Sequence, residues 1–198
     1  MISVVVFDLG DVLCRFDPAA RARALADASG WTVDAVYEHV WGSGRDARAD
    51  AGELTEDEAF AIATLDGVLD RATTLDCWAR AFVRDAEVLA LVDRLAVRAA
   101  LLTNNGPVLE GLFATHLAPI ALRCAPIMLS WRLRATKPSL EVFDRAAARV
   151  GEPPQQLLLV DDQPRNAAGA RAAGWDAVVF TGVGPLEEEL SSRGLTSG

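Results

Sequence analysis

The fold of this chain is decided by the stretch Ile2-Ser3-Val4-Val5-Val6-Phe7-Asp8-Leu9-Gly10-Asp11-Val12-Leu13. It opens with a short apolar run rich in β-branched side chains, which is typical of a buried strand in a parallel sheet. Asp8 follows this run, and Gly10 then allows the chain to turn sharply. In open α/β sheets, ligands bind at the carboxyl ends of the strands. Because a charged side chain there needs a cation or hydrogen-bond donors, Asp8 is a candidate ligand-binding residue.

Short apolar runs recur in the second half of the chain, at residues 99–102, 127–129, 157–160 and 177–180. Helical patterns lie between them, at residues 86–97, 139–150 and 164–173. Strands that alternate with helices indicate βαβ units with right-handed crossovers. We therefore predict an α/β fold, a Rossmann-like doubly wound parallel sheet with helices on both faces.

The block between the first strand and the second half is different, because it contains no convincing strand. Its pattern predicts short helices at residues 18–28, 32–42, 55–65 and 74–83. We expect an all-helical cap at residues 16–83, inserted after the first strand, and a Rossmann-like core at residues 1–15 and 84–198. The insertion is expected to cover the sheet edge where Asp8 emerges. Its glycine-flanked segment 42–52 is predicted to be a mobile specificity loop.

The composition excludes several function classes. Among 198 residues, 28 are acidic and 19 are basic, and the formal charge of −9 disfavours binding to nucleic acid or to anionic membranes. No segment is long enough to span a bilayer, and the first apolar run lacks the basic leader of a signal peptide. Three widely spaced cysteines indicate free thiols in a reducing cytoplasm. We expect a cytoplasmic monomer or homodimer.

Polar side chains also end the other predicted strands. Thr103 and Asn104 follow the second run, Lys137 precedes a helix, and the pair Asp161-Asp162 follows the run at 157–160. Carboxylates that share one crevice repel one another unless a cation joins them, and such a hard oxygen set suits Mg²⁺. A hydroxyl, a lysine and helix N-terminal amides can hold a phosphate. A carboxylate that faces a metal-bound phosphoryl group is a candidate nucleophile.

This ordered set of motifs resembles the haloacid dehalogenase-like hydrolase superfamily over essentially the whole chain. The matching motifs are residues 7–13, 101–104, 137–138 and 159–166. The helical insertion is similar to the type 1 cap of phosphatases related to bacterial glucose-1-phosphatase and beta-phosphoglucomutase. The resemblance implies a Mg²⁺-dependent hydrolase that acts on a small phosphorylated metabolite, a phosphate monoester, through an aspartyl-phosphate intermediate.

The resemblance also implies a set of metal ligands. Asp8 would attack phosphorus and bind Mg²⁺ as well. Gly10 would offer its backbone carbonyl to the metal, and Asp162 would be a direct ligand. Asp161 would bind the metal through water or support Lys137.

For the phosphoryl group, the resemblance implies three further residues. Thr103 and Asn104 would bind the phosphoryl oxygens. Lys137 would neutralise charge and hold Asp8 in place. These roles agree with general chemistry, because phosphoryl transfer depends chiefly on in-line positioning and on charge neutralisation.

The chain departs from the family pattern at Gly10. Most phosphatases of the superfamily carry a second aspartate at this place, which acts as general acid and base. Asp11 lies one residue further on, and side-chain direction changes with each residue of an extended chain. General acid–base help is worth about 10²–10⁴ in rate, and its loss would slow poor leaving groups most. Family branches with Asp-Leu-Gly-Asn or Asp-Leu-Gly-Gly here nevertheless include working phosphatases.

Two alternatives to an active phosphatase stay open. In the first, the chain is a catalytically silent binding or regulatory protein that keeps the metal pocket. In the second, it attacks carbon, as the dehalogenases do. The second alternative is less favoured, because Asp161 and Asp162 imply a metal that carbon–halogen cleavage does not need.

Two residues outside the motifs are weak candidates for the site. His39 is a candidate proton donor carried by the cap, although a packed or surface histidine is the simpler interpretation. Trp131 follows the third strand run and is a candidate for the pocket mouth. The neighbouring Arg132 and Arg134 are interpreted as a solvated face.

Overall fold

The structure is a computed structural model, and it describes residues 1–196. Within that range the strands are β1 (Val4–Phe7), β2 (Cys14–Phe16), β3 (Phe82–Arg84), β4 (Arg98–Thr103), β5 (Ile127–Leu129), β6 (Leu157–Asp161) and β7 (Asp176–Val179).

The α-helices of the described residues are α1 (Pro18–Ser29), α2 (Val33–Tyr37), α3 (Arg45–Asp50), α4 (Glu56–Ala63), α5 (Arg71–Ala79), α6 (Ala86–Val92), α7 (Glu110–Phe113), α8 (Ala118–Ala121), α9 (Ser130–Leu133), α10 (Leu140–Val150), α11 (Pro164–Ala172) and α12 (Val183–Ser192). A π-helical turn, Glu38–Gly42, continues α2. Short 3₁₀ turns cover Pro107–Leu109 and Pro154–Gln156.

Five strands form one parallel sheet in the order β5-β4-β1-β6-β7. At the end of the central strand, Phe7 lies between Leu101 of β4 and Val160 of β6. The chain therefore winds outward in both directions from β1, and the strand order reverses beside it. A crevice at such a reversal point is where ligands bind in this class of fold. The predicted doubly wound sheet is confirmed.

Side chains of β1 alternate between two hydrophobic cores, as a strand of period two requires. Val5 and Phe7 join one core with buried residues of α6 and α12. Val4 and Val6 join the other core with buried residues of α10 and α11. All four β1 side chains are fully buried. Helices therefore cover both faces of the sheet, as predicted.

The helical insertion, residues 18–79, contains α1 to α5 and leaves the core through a two-stranded ribbon. Strands β2 and β3 pair antiparallel, with Phe16 opposite Phe82 and their ring centroids 5.2 Å apart. The expected cap boundaries, 16 and 83, fall inside this ribbon, where no strand was predicted. The ribbon forms because the chain leaves and returns at the same sheet edge. Strands of three residues are too short to show a period in the sequence.

The expectation of a loop at residues 42–52 is wrong for its central part, which is helix α3. This helix is docked on the core: the hydroxyl of Ser130 donates to the carbonyl oxygen of Asp50 at 2.6 Å. Gly52 follows with a φ of +71°, and a β-carbon there would overlap the carbonyl oxygen of Trp131. Close backbone contact therefore fixes the segment against α9.

The cysteines are unpaired, as predicted, and all three are buried. In residues 1–196, no helix has the length and apolar character that crossing a membrane would require.

Candidate active site at the carboxyl edge of the sheet

Three acidic side chains meet where β1 and β6 end. Asp8 directly follows β1, Asp161 is the last residue of β6, and Asp162 comes next. Since β1 and β6 pair in register, their carboxyl ends bring these side chains together. One carboxylate oxygen from each lies within 4.8 Å of the others. The predicted acidic cluster is therefore present as a geometric unit.

Lys137, the only lysine in the sequence, lies against this cluster with its side chain 1% exposed. Its ammonium donates to Oδ1 of Asp8 at 2.9 Å and to Oδ2 of Asp161 at 2.6 Å. The ammonium also donates a hydrogen bond to the carbonyl oxygen of Leu102 at 3.0 Å. An ammonium has three donors, so every one is used. Lys137 is held as a fixed positive charge beside Asp8.

Burial and charge act in opposite directions on this group. Burial alone lowers the pKa of Lys137, but the carboxylates of Asp8 and Asp161 outweigh it and hold the pKa above its usual value. Burial raises the pKa of Asp8, and Lys137 opposes that rise. Losing one partner of such a buried group would leave an uncompensated charge.

The carboxylate of Asp161 is fully buried and accepts three hydrogen bonds. Its Oδ1 accepts from the backbone N–H of Gln163 and from Nδ2 of Asn166, both at 2.9 Å, while its Oδ2 accepts from Lys137. Asp162 is only partly buried, and its pKa is raised by that burial and by Asp161. Of the two roles expected for Asp161, the geometry supports the one of holding Lys137.

The second motif holds the lysine from the other side. Asn104 accepts from the backbone N–H of Lys137 and donates to its carbonyl oxygen, both at 2.9 Å. The hydroxyl of Thr103 accepts from Nδ2 of Asn105 at 2.8 Å, which leaves its own proton free to donate. The side-chain amide of Asn104 therefore orients Lys137, a role that the sequence motif did not indicate.

A cavity of about 600 Å³ lies between this edge and the helical insertion. Every residue predicted for the site except the enclosed Asp161 lines it: Asp8, Gly10, Thr103, Asn104, Lys137 and Asp162. Asp11 lines it too, and its Oδ1 accepts from the backbone N–H of Phe16 at 2.9 Å. The structure thus brings the predicted residues into one chamber.

Three charged residues of the insertion line the same cavity: Arg21, Asp46 and Asp50. Sequence reasoning missed Arg21, although a signal for it was present. Arg21 lies four residues before the buried Leu25, on the same face of α1, and a charged residue on the apolar face of a helix is unusual. Asp46 and Asp50 belong to the segment 42–52 that was predicted to determine specificity, and the structure carries both on helix α3 instead of a loop.

The two weak candidates lie elsewhere. His39 packs edge-on against Trp31, with centroids 5.4 Å apart, and lies 3.9 Å from Asp66. Trp131 stacks under the guanidinium of Arg132 at 4.0 Å and borders a separate small groove. Neither residue lines the cavity that holds Asp8.

Solved structures with the same fold include three bacterial proteins. A predicted HAD-like family hydrolase from Porphyromonas gingivalis has a TM-score of 0.76 at 23% identity, over 96% of this chain and 98% of that one. A HAD family enzyme from Bacteroides thetaiotaomicron, in complex with magnesium and inorganic phosphate, has a TM-score of 0.71 at 16% identity, over 90% and 94% of the two chains. A 2-haloacid dehalogenase from Pseudomonas syringae has a TM-score of 0.71 at 20% identity, over 98% and 100%.

No curated protein matches the sequence significantly. A family model described as haloacid dehalogenase-like hydrolase matches residues 2–174, which hold all four motifs and the helical insertion. The fold and the site geometry agree with that match. The chain belongs to the haloacid dehalogenase-like hydrolase family.

Proposed function

We propose that this hydrolase cleaves small phosphate monoesters with Mg²⁺ through an aspartyl-phosphate at Asp8. The observation that carries the proposal is the ammonium of Lys137, shared by Asp8 and Asp161 beside the partly buried carboxylate of Asp162. A carboxylate paired with a buried ammonium, at the bottom of a cavity, is an oxygen nucleophile of fixed position.

The two oxygens of Asp8 differ in their surroundings. Oδ1 accepts from Lys137 and from the backbone N–H of Leu9 at 2.7 Å. Oδ2 accepts no hydrogen bond from residues 1–196. In the proposed first step a carboxylate oxygen of Asp8 bonds to phosphorus, and the P–O ester bond breaks with its electron pair going to the leaving oxygen, which takes a proton from Asp11 or from water. Water then attacks phosphorus, and the bond between phosphorus and Asp8 breaks with its electron pair returning to the carboxylate. The proton lost by the attacking water passes to Asp11 or to solvent, and inorganic phosphate is released.

The donor set fits Mg²⁺. Asp8 and Asp162 offer carboxylate oxygens that reach the cavity, and Gly10 lies beside them with a backbone carbonyl. These residues would hold the ion, and Asp161 would support it through water or through Lys137. Such hard oxygen ligands are typical of Mg²⁺ sites. When bound, the ion supplies positive charge to the phosphoryl oxygens. A Bacteroides enzyme of the same fold holds both magnesium and phosphate.

The phosphoryl oxygens would be bound by the β4 end of the cavity. Thr103 has a hydroxyl proton to donate, and Lys137 contributes positive charge. The side chain of Asn104 acts by orienting Lys137, so its contribution to the phosphoryl oxygens would come from its backbone. These donors surround the carboxyl end of β1.

The sequence motifs and the helical insertion also favour one branch of the superfamily. We place the chain near the phosphatases with a type 1 helical cap that are related to glucose-1-phosphatase and beta-phosphoglucomutase. Its substrate would be a small phosphorylated metabolite in the cytoplasm, where three buried free thiols stay reduced. We expect a monomer or a homodimer.

The test is phosphate release from p-nitrophenyl phosphate and a panel of metabolite phosphates, with and without Mg²⁺. Asp8→Asn should abolish release. Asp144→Asn is the matched control, because Asp144 is exposed on α10 away from the cavity. Wild-type release no greater than that of Asp8→Asn would support the silent binding protein instead. Halide release from 2-chloropropionate without metal would support the dehalogenase.

A further inference from the structure

Arg21 lies at the insertion side of the cavity and is buried, with 5% of its surface exposed. Three aromatic rings surround its guanidinium. The central carbon lies 4.5 Å from the ring centroid of Trp78, 5.0 Å from that of Trp41 and 5.5 Å from that of Phe16. The rings hold the guanidinium by cation–π attraction and limit its movement.

This guanidinium lacks the partners that a buried charge normally has. Its Nε is enclosed and donates to no acceptor within residues 1–196, and no ion pair reaches it in that range. Buried charges in proteins are paired or hydrogen-bonded because the unpaired state is costly. Since Arg21 also lines the cavity, the outer N–H groups of this fixed guanidinium are the donors that would meet an oxygen of a ligand.

Two carboxylates stand in the same wall and restrict what that ligand can be. Asp46 and Asp50 both line the cavity and are close enough to Arg21 to act on its charge. Asp50 also lies beside Gly106, because a β-carbon placed on Gly106 would come 3.2 Å from Oδ1 of Asp50. Two acidic groups repel a second anion, whereas a hydroxyl can accept from Arg21 and donate to a carboxylate.

The position of Arg21 in the cavity determines which part of a substrate it would meet. The phosphate end of a substrate would meet Asp8 at the sheet edge, so its leaving group would extend toward the insertion. We propose that Arg21 is a specificity-determining residue that binds a hydroxyl oxygen on the leaving group of a hydroxylated phosphate ester, with Asp46 and Asp50 accepting the hydroxyl protons. This proposal rests on the proposed phosphatase function and deepens it.

The test compares matched pairs of substrates: glycerol phosphate with n-propyl phosphate, and hexose phosphates with n-hexyl phosphate. Each pair differs in its hydroxyl groups. Wild-type protein should prefer the hydroxylated member of at least one pair. Arg21→Met should lower kcat/KM for that member by about 10–100-fold, the range for a hydrogen bond to a charged group. The loss should come mainly through KM, and it should be clearly larger than the loss on n-alkyl phosphates and p-nitrophenyl phosphate.

Two further measurements separate binding from a structural role. Arg21→Met should fold but unfold at a lower temperature than wild type, because Asp46 and Asp50 lose the positive charge that acts on them. The selectivity change, and not the unfolding temperature, is therefore the readout of binding. Arg23→Met is the matched control on the exposed side of α1, where Arg23 lies 3.6 Å from Asp17. If Arg21→Met does not fold, Arg21→Lys, which keeps charge but loses the planar donor set, should show the same selectivity loss.

The proposal is overturned if the wild type shows no preference within any pair, or if the Arg21 variants lose activity equally on all substrates. Absence of wild-type activity on p-nitrophenyl phosphate would instead count against the phosphatase function itself. The two failures are therefore distinguishable.

Discussion

Nζ of Lys137 lies 2.9 Å from Oδ1 of Asp8, and the same ammonium also bonds Asp161 at 2.6 Å. One buried cation thus joins the ends of β1 and β6 across the point where the strand order reverses. This contact links stability to chemistry, since it holds the nucleophile that we propose and reduces the repulsion between two carboxylates.

Removing the ammonium of Lys137 should destabilise the fold. Lys137→Met leaves Asp8 and Asp161 facing each other without a positive charge, and we expect the free energy of unfolding to fall by about 3–5 kcal/mol. Urea denaturation measures this loss. Asp161→Asn should be destabilising too, and the double variant should lose less than the sum of the two, with a coupling of about 1–3 kcal/mol. Additive losses would show that the ion pair does not act as a unit.

Magnesium should stabilise the folded chain through Asp162. At about a hundredfold excess of Mg²⁺ over its Kd, linkage adds about 2.7 kcal/mol, which raises Tm by about 5–10 °C in a chain of this size. The shift should shrink to less than half in Asp162→Asn and persist in the surface variant Asp144→Asn. Thermal unfolding with Mg²⁺ and with EDTA tests this without any substrate. Equal Tm shifts in all three proteins would show that Asp162 is not a metal ligand.

Asp11 is our candidate for a partial replacement of the acid missing at Gly10. Asp11 lines the cavity, and its side chain accepts a hydrogen bond from the backbone N–H of Phe16. Its own backbone is left-handed, with a φ of +54°. Asn can keep both the bond and the backbone conformation, so Asp11→Asn tests the carboxylate alone. We expect kcat on alkyl phosphates to fall by about 10² and kcat on p-nitrophenyl phosphate to change little. An unchanged kcat on poor leaving groups would refute this role.

The contact of the insertion with the core can be tested at two glycines. Gly52 and Gly30 have similar positive φ angles, +71° and +75°, but a β-carbon meets the Trp131 backbone only at Gly52. Gly30→Ala should cost about 1 kcal/mol of backbone strain. Gly52→Ala should cost about 1–3 kcal/mol more, the usual penalty of overpacking. Equal losses in urea denaturation would mean that the Gly52 contact is not tight.

Much of the sheet and its edge was predictable from the sequence. The run before Asp8 is β-branched and buried, so it signals a central parallel strand directly. Parallel strands place their carboxyl ends together, and this rule alone brought Asp8, Thr103 and Asp162 to one edge. Lys137 follows no strand and was assigned to the same edge from its place before a helix, and the family resemblance added its expected contact with Asp8.

The insertion side of the site was not predictable in the same way. Arg21 reaches the cavity through contacts with Trp41 and Trp78, which are distant in sequence and packed only by the tertiary fold. Helix α3 was missed because a short polar segment between glycines carries no apolar period. The ribbon of β2 and β3 depends on where the chain leaves and re-enters the core.

The most direct test of the central claim is to trap the intermediate. Protein mixed with Mg²⁺ and p-nitrophenyl phosphate would be quenched in acid within the first turnovers, digested and mapped by mass spectrometry. We predict one phosphoryl group on the peptide that contains Asp8, absent from Asp8→Asn. Phosphate release by the wild type with no phosphorylated peptide, or with the phosphoryl group on another residue, would contradict the account.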